Sequence, residues 1–371
     1  MARYDAIVVG ASYAGMAAAS QMPGRKLLVL ERHDSVVTKQ RGCLGLLWPV
    51  GDRIDVRGDN LYLNGLDLFV EGGVRQRLSR LEIRGQRERM IVPLERPLLL
   101  LNQGRLKGAL LRRIREQGAE VQVGAAVREV DSDGREARVR TDREHQARVL
   151  VGADGTNSLV RRNVGFRREK LAVLFQRETK TSRLDVPPET LHLQFDGARN
   201  LFFAFPMGDG YLASVIQVLG PRAVPDDLES RLDDHLDRLG AGRPLARRGA
   251  VVRLYAPGNQ AYRGNVLLAG DAMAAYGFAT ITGALTLGKL AGRAAHRFLA
   301  GSRYALPEFQ SSWRGESDQA WMEKARWLAP LLTRLGPERI DRMIRAARGG
   351  KRKSPGNLLW RLPVILARFW V

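Results

Sequence analysis

Cysteine is almost missing from this sequence, which has only Cys43 in 371 residues. A single thiol excludes an intramolecular disulfide framework and a zinc cluster built from cysteines. Hydrophobic residues make up 44% of the chain and charged residues 27%, which excludes disordered, collagen-like and polytopic membrane proteins. The histidines show no metal-ligand spacing, so we expect a core or surface position for each of His33, His145, His192, His235 and His296.

Acidic residues are also scarce: the sequence has 39 acidic and 60 basic residues, which gives a formal net charge of +21. Such a charge predicts attraction to anionic lipid, pyrophosphate or nucleic acid at low salt. The basic residues are scattered, and the sequence has no helix-turn-helix, RNP-type or paired Cys/His finger pattern, so we expect no specific nucleic-acid partner. The N-terminus lacks the order of a secretory signal, which predicts a cytoplasmic protein.

The order of apolar segments predicts an α/β protein. Residues 4–9 read as a buried strand, residues 14–20 as a small-residue helix and residues 26–31 as a second strand, which together form a βαβ unit. Alternating patterns in 80–92, 191–195 and 201–205 predict an antiparallel sheet. Further expected elements are a helix over 104–118, strands over 120–123, 149–151 and 265–269, and a mainly helical C-terminal region.

The turn Gly10-Ala11-Ser12-Tyr13-Ala14-Gly15 lies between the first strand and its helix, which is the context of a dinucleotide-binding fingerprint. Amides at the helix N-terminus and the helix dipole favour a pyrophosphate there. The first glycine should make the tight turn and the last should allow close helix–strand packing. Ser12 replaces the usual middle glycine. Glu31, at the end of the second strand, is placed to accept hydrogen bonds from an adenosine ribose.

Two more motifs follow buried strands later in the chain. The first is Gly152-Ala153-Asp154-Gly155 with Ser158 and Arg161 downstream, and the second is Gly270-Asp271-Ala272. With the first turn, these motifs resemble the flavoprotein superfamily that has the para-hydroxybenzoate hydroxylase fold. The resemblance covers about the first 300 residues. It implies that FAD is the dinucleotide, that Asp271 meets its ribityl chain, and that Asp154 and Arg161 hold the loops around its pyrophosphate.

This resemblance implies a Rossmann-type FAD-binding domain, an antiparallel β-sheet substrate domain and a helical C-terminal region. The FAD-binding domain is assigned to 1–75, 101–165 and 251–300, the substrate domain to 76–100 and 166–250, and the C-terminal region to 301–371. The helix expected over 285–298 would point its N-terminus at the flavin pyrimidine edge, where amides of Gly283 and Ala284 would stabilise negative charge. The implied FAD-binding residues are Gly10, Ser12, Ala14, Gly15, Glu31, Arg32, Arg41, Gly42, Val127, Asp154, Gly155, Gly270, Asp271, Gly283 and Ala284.

Within the superfamily, three segments resemble the geranylgeranyl reductase family. Lys39-Gln40-Arg41-Gly42-Cys43-Leu44-Gly45 is similar to its Lys…Cys-Gly segment beside the flavin, and Phe203-Ala204-Phe205-Pro206 to its aromatic-x-Phe-Pro motif. The third is the run from Thr282-Gly283 to Gly288-Lys289-Leu290-Ala291, in which Ala284 and Leu285 replace Glu-Gly. The resemblance implies that Phe203 and Phe205 line a dry cavity and that Cys43 is a proton donor or packs beside the flavin.

The implied activity is the reduction of carbon-carbon double bonds in an isoprenoid or lipid by hydride transfer from reduced flavin. The chain has no second nucleotide fingerprint, so electrons should come from transiently bound NADPH or from a reduced protein donor. One alternative is a flavin monooxygenase that hydroxylates or epoxidises a hydrophobic substrate. Another is a carrier that shelters an isoprenoid or lipid without catalysis. The oligomeric state is left open by the sequence.

The C-terminus pairs a basic cluster, Lys351-Arg352-Lys353, with the apolar, tryptophan-containing segment 358–371. That segment is too short and too charged to span a bilayer. Two interpretations fit it equally well. It can lie at the inner membrane surface, attracted to anionic headgroups, or it can fold over the protein core.

Overall fold

The computed structural model describes residues 2–38, 45–47, 54–165, 171–179, 187, 189–195, 200–207, 210–218, 227–240, 244–253, 260–273, 280–316 and 337–348. The helices are α1 Tyr13–Ala19, α2 Gln103–Glu116, α3 Leu159–Asn163, α4 Leu228–Arg238, α5 Thr280–Leu299, α6 Ala305–Glu316 and α7 Pro337–Arg348. The strands are β1 Ala2–Val9, β2 Leu27–Leu30, β3 Leu46–Leu47, β4 Ile54–Arg57, β5 Asn60–Leu63, β6 Leu68–Val70, β7 Val74–Arg84, β8 Arg89–Leu101, β9 Glu120–Gln122, β10 Glu129–Ser132, β11 Ala137–Arg140, β12 Glu144–Gly152, β13 Leu171–Thr179, β14 Thr190–Phe195, β15 Asn200–Met207, β16 Gly210–Val218, β17 Pro244–Arg253, β18 Tyr262–Arg263 and β19 Val266–Leu268.

The first sheet contains the dinucleotide-type core. Its order is β10-β11-β12-β1-β2-β9, with β19 beside the end of β12 and β18 beside β19. The pairs β9–β2, β2–β1, β1–β12 and β12–β19 are parallel. Strands β2 and β19 and the last four residues of β1 and β12 are buried, which explains why they read as continuous apolar runs in the sequence, whereas β9 lies at the sheet edge and is only partly buried.

The second sheet has the order β17-β13-β16-β15-β14-β7-β8-β3. Its strand pairs are antiparallel except β7 and β14, which are parallel. The predicted antiparallel sheet is therefore confirmed apart from that one pair, where two hairpins from distant parts of the chain meet edge to edge. A small third sheet, β4-β5-β6, completes the mixed α/β fold, and the predicted fold class is confirmed.

Helix α5 packs against α1 at unusually close range. A Cβ atom at Gly288 would overlap the Ala14 carbonyl oxygen, and one at Gly292 would overlap the Ala18 carbonyl oxygen. Because glycine has no Cβ atom, the backbones of the two helices are in direct contact at these positions. This contact fixes the start of α5 relative to the turn that precedes α1.

The predicted boundary of α5 was wrong. The helix begins at Thr280, five residues before the expected start at Leu285. Unpaired N–H groups belong to the first positions of a helix, so the Ala284 amide lies beyond them. Burial of Ile281 and Leu285 explains the earlier start, because tertiary packing of an apolar face outweighs the weak helix propensity of Thr and Gly.

The C-terminal helices cover different parts of the molecule. Helix α6 packs on α5 and buries Trp313 in the core. Helix α7 packs on β7, β8 and β14 of the second sheet. Among helices of the described residues, none has both the length and the apolar character needed to cross a bilayer. Trp321, Trp327 and the segment 358–371 lie outside the described residues.

Candidate functional site

Three motifs that are far apart in sequence meet at one edge of the first sheet. The register pairs Val9 with Gly152 and Gly152 with Leu268, so the three parallel strands end side by side. Backbone hydrogen bonds continue past these ends, from Ala153 N to Val9 O at 2.8 Å and from Ala269 N to Gly152 O at 2.9 Å. The carboxyl edge of parallel strands is where open α/β sheets bind ligands.

Gly10 and Gly15 make the tight geometry of the first motif. Gly10 has φ +98°, and a Cβ there would lie 2.5 Å from the Ala153 carbonyl oxygen. A Cβ at Gly15 would overlap the Gly10 carbonyl oxygen. Both positions therefore require glycine, for the reasons that the fingerprint implies.

Ser12 occupies the middle glycine position and serves the protein backbone. Its hydroxyl donates to the Ala153 carbonyl oxygen at 3.1 Å and accepts from the Gly15 amide at 3.3 Å. It is thus the N-cap of α1 and also joins the first motif to the second. The side chain that departs from the pattern is turned towards these two backbone groups.

Glu31 lies at the end of β2 and holds two loops. One carboxylate oxygen accepts from the Ala11 amide at 3.0 Å and the other accepts from the His33 amide at 3.0 Å. Each oxygen keeps acceptor capacity for a ribose hydroxyl. The Ala125 amide donates to the Glu31 carbonyl oxygen at 2.8 Å, and Val127 lies two residues further along the chain. Val127 is half-buried and Arg32 is exposed.

Asp154 holds the first turn of the short helix α3, whose N-cap is Ser158. Its Oδ2 accepts from the amides of Leu159 at 2.7 Å and Val160 at 3.2 Å. Its Oδ1 is buried and has no hydrogen-bond partner among the described residues. Desolvation raises the pKa of the Asp154 carboxyl above its usual range, although the hydrogen bonds it accepts oppose that shift. Gly155 follows in the turn.

Arg161 connects the second and third motifs. Its side chain is only 4% exposed, and its guanidinium donates to the Ala272 carbonyl oxygen at 3.0 Å. Ala272 ends the short 3-10 helix Gly270–Ala272, which also carries Asp271. The Asp271 side chain is partly accessible to solvent. The protein atoms that surround the rest of it raise the pKa of its carboxyl group by desolvation. The implied role of Arg161 as a loop-holding residue agrees with this contact.

The N-terminal end of α5 is brought to the same edge by its contact with α1. A Cβ at Gly270 would lie 2.8 Å from the Ala14 Cβ, so the third motif also touches α1. Gly283 and Ala284 lie in the first turns of α5. Ala14, Gly270 and the start of α5 are therefore neighbours.

The segment expected beside the flavin lies mostly outside the described residues, and this includes Arg41, Gly42 and Cys43. Its last residue, Gly45, is described, and a Cβ there would lie 2.9 Å from Gln103 Nε2. Gln103 Oε1 accepts from the Tyr13 hydroxyl at 3.1 Å. Sequence reasoning missed Gln103 as a residue that contacts the helix of the first motif through Tyr13. The cap residue Asn102, directly after the buried end of β8, was the available signal.

Phe203 and Phe205 are buried on one face of the second sheet. They share an apolar cluster with Leu81, Leu193 and the inward side chains of α7, which are Ile340, Met343 and Ile344. The alternate residues Phe202 and Ala204 face the other way, towards α4. The face that carries Phe203 and Phe205 is apolar and is packed against α7, and the cavity wall implied for these two residues stays a prediction.

Ionisable side chains are buried between the second sheet and α4, and the sequence did not indicate that they form a group. Glu82 Oε2 lies 2.9 Å from His192 Nδ1, and both side chains are fully buried. His235 stacks on His192 and on Phe202, with ring centroids 5.7 and 4.4 Å apart. Desolvation, helped by the neighbouring His192 ring and by the nearby Arg238 and Arg84, puts the pKa of His235 well below its usual value.

The residues at the sheet edge fit FAD. Gly10 lets the first turn lie directly against the Ala153 backbone, Glu31 offers carboxylate oxygens where an adenosine ribose is expected, and the buried Asp154 Oδ1 is an acceptor without a partner among the described residues. Dinucleotide recognition needs these features: close backbone approach to the phosphates and hydrogen-bond acceptors for sugar hydroxyls.

Comparisons with known proteins agree with this site. Residues 53–196 match the family model FAD_binding_3, described as an FAD binding domain. The chain is 26% identical over 357 residues to digeranylgeranylglycerophospholipid reductase 1 of Methanopyrus kandleri, covering 90% of this chain and 91% of that protein.

Solved structures show the same fold. A geranylgeranyl bacteriochlorophyll reductase-like protein from Thermoplasma acidophilum has a TM-score of 0.76 at 18% identity, covering 98% of this chain and all of the other. The p-nitrophenol 4-monooxygenase PnpA of Pseudomonas putida has a TM-score of 0.73 at 18% identity, covering 100% of this chain and 98% of the other. The predicted cofactor, FAD, is confirmed. The chain is therefore an FAD-dependent oxidoreductase that shares its fold with flavoprotein reductases and monooxygenases, and it has the similarity to the geranylgeranyl reductase family that its motifs predicted.

Proposed function

We propose that this protein reduces carbon-carbon double bonds in the isoprenoid chains of a lipid. The observation that carries the proposal is the similarity to a digeranylgeranylglycerophospholipid reductase along nearly the whole of both chains. An FAD site formed by the three converging motifs and an apolar sheet face with Phe203 and Phe205 support it.

FAD bound at this edge supplies hydride-transfer chemistry. The chain's own residues bind and orient the cofactor: Glu31 at the adenosine end, Gly10 and Ser12 at the pyrophosphate turn, and Asp271 at the ribityl chain. We further propose that Arg32, Arg41, Gly42 and Val127 contribute contacts, and that the division into FAD-binding and substrate domains follows the boundaries expected from the sequence.

An isolated alkene has no carbonyl group for the protein to polarise, so reduction depends on alignment in a dry cavity and on a proton donor. We assign the cavity wall to Phe203 and Phe205, and Cys43 either donates the proton or packs beside the flavin ring. NADPH or a reduced protein donor supplies the electrons. Each reduction then adds one hydride and one proton across the double bond.

The test uses the full-length flavoprotein without oxygen. The protein is reduced chemically and mixed with a glycerophospholipid that carries two geranylgeranyl chains. The mass of the lipid is then measured by mass spectrometry. Reduction should add two hydrogens for each double bond consumed, while the same mixture without reductant should leave the lipid unchanged. Unaltered lipid in the presence of a reduced, FAD-loaded protein would contradict the proposal.

A second candidate function is hydroxylation or epoxidation of a hydrophobic substrate, favoured by the fold shared with PnpA. Oxygen distinguishes the two reactions, because substrate-triggered oxygen uptake marks a monooxygenase and anaerobic saturation marks a reductase. Lipid binding with no turnover of the flavin under either condition would instead mark a carrier.

We also propose that the protein works at the inner surface of the membrane, because its substrate is lipid-soluble and residues 351–371 combine basic residues with Leu and Trp. Deleting residues 354–371 should shift the protein from the membrane to the soluble fraction. Unchanged partitioning with a lowered melting temperature would favour a C-terminus folded over the core.

A further inference from the structure

Helix α7 is strongly amphipathic, and its basic face is exposed to solvent. Its inward side chains Ile340, Met343 and Ile344 are buried in the cluster on the second sheet. Arg339, Arg342 and Arg345 are exposed and follow one another at spacings of three residues. Residues at this spacing lie on one helix face.

A buried carboxylate attaches this helix to the tip of the β7–β8 hairpin. Asp341 is 4% exposed, and its oxygens accept from the Arg87 amide at 3.0 and 3.1 Å and from the Glu88 amide at 2.9 Å. A Cβ at Gly85 would overlap Asp341 Oδ1, so this approach requires glycine in the hairpin. The hairpin tip and α7 therefore form one unit.

That attachment places a fourth exposed cation, Arg87, beside the three on α7. Within the part of the chain that the structure describes, none of these four arginines forms an ion pair. The exposed acid of the helix, Glu338, lies in its first turn. The surface made by Arg87, Arg339, Arg342 and Arg345 is accordingly cationic, and we name it the arginine surface.

We propose that the arginine surface docks the protein onto anionic lipid headgroups. The apolar side of α7 is occupied by the second sheet, so this surface binds through charge and not through insertion. Four unpaired guanidiniums on one rigid unit complement the phosphate groups of an anionic bilayer. The proposal goes beyond the proposed reaction and holds whichever substrate the flavin site takes.

Binding is measured by co-sedimentation of the full-length FAD-loaded protein with vesicles of phosphatidylglycerol and phosphatidylcholine, or of phosphatidylcholine alone. A basic residue near an anionic surface changes partitioning by about fivefold. The triple variant Arg339→Gln/Arg342→Gln/Arg345→Gln should therefore bind the anionic vesicles about 100-fold more weakly. Raising the salt should abolish the difference, because surface charges are then screened.

The matched control is Arg105→Gln/Arg112→Gln/Arg115→Gln, which removes the same charge from exposed positions on α2. This control should bind within about threefold of the unsubstituted protein, since charges beyond a Debye length of about 10 Å contribute little. Equal weakening of both variants would overturn the proposal in favour of diffuse net charge. Unchanged vesicle binding by the α7 variant, or loss of its binding to duplex DNA with vesicle binding intact, would also overturn it. Lipid reduction in detergent is a separate readout, so failure here is distinguishable from failure of the proposed reaction.

Discussion

The contact between α1 and α5 makes Gly288→Ala a sharp test of how the FAD site is built. The new Cβ would lie 2.9 Å from both the carbonyl carbon and the Cα of Ala14, and closer still to the carbonyl oxygen. These are backbone atoms of a helix, so they cannot rotate away and the two helices must separate. Overpacking of this kind costs about 1–3 kcal/mol.

Helix propensity works in the opposite direction, because replacing glycine by alanine inside a helix contributes about 1 kcal/mol. The variant should still lose stability on balance. FAD affinity should fall as well, because the shift moves the start of α5 away from Gly270 and the first turn. Urea unfolding followed by circular dichroism measures the first effect, and FAD titration measures the second.

Gly108→Ala on α2 is the matched control. A Cβ at Gly108 would meet only Arg112 Nη1, at 3.7 Å, the mobile end of an arginine. This variant should therefore gain up to about 1 kcal/mol from propensity and bind FAD normally. Equal stability and equal FAD affinity for the two variants would refute the claim that backbone contact between α1 and α5 positions the site.

Three further predictions concern separate parts of the molecule. Because the pKa of His235 is depressed in the folded protein, an unfolded chain takes up the proton first below about pH 6.5. The contribution of His235 to the free energy of unfolding is therefore complete above that pH and falls below it by up to about 1.4 kcal/mol per pH unit. Between pH 6.5 and pH 5.5, the urea midpoint should drop less in His235→Gln than in the unsubstituted protein. Glu31→Ala removes an acceptor from two amides and from the ribose, so FAD should bind at least about tenfold more weakly by fluorescence titration, and unchanged affinity would remove Glu31 from the site. Gly85→Ala should displace Asp341 and lower the unfolding midpoint, whereas Gly104→Ala, which needs no left-handed backbone and whose Cβ would meet its nearest atom at 3.6 Å, should lack the overlap penalty.

Local features of the fold could be predicted from sequence because short-range chemistry determines them. The first βαβ unit follows from two apolar runs and a glycine turn, and α1 begins within one residue of its expected position. The three cofactor motifs were recognisable because each follows a buried parallel strand. Their meeting point follows from the sheet register, which places the ends of β1, β12 and β19 together.

Non-local features had no such signal. The parallel pairing of β7 with β14 joins residues 80 and 190, and no local pattern indicates that partner. The buried contact between Glu82 and His192, and the stacking of His235 on it, bring together three distant elements. Gln103 lies beside α1 through the hydrogen bond from the Tyr13 hydroxyl and through its close approach to Gly45, and neither contact is local in sequence. The start of α5 was misplaced because burial, which propensity does not report, extends it to Thr280.

Calorimetric titration of the flavin-free protein with FAD reports whether three separated motifs form one FAD site. We expect saturation at one FAD per chain, and loss of that binding in Gly10→Val, whose side chain would collide with the Ala153 carbonyl group. Absence of FAD binding by the folded, unsubstituted protein, or equal binding by Gly10→Val, would contradict it.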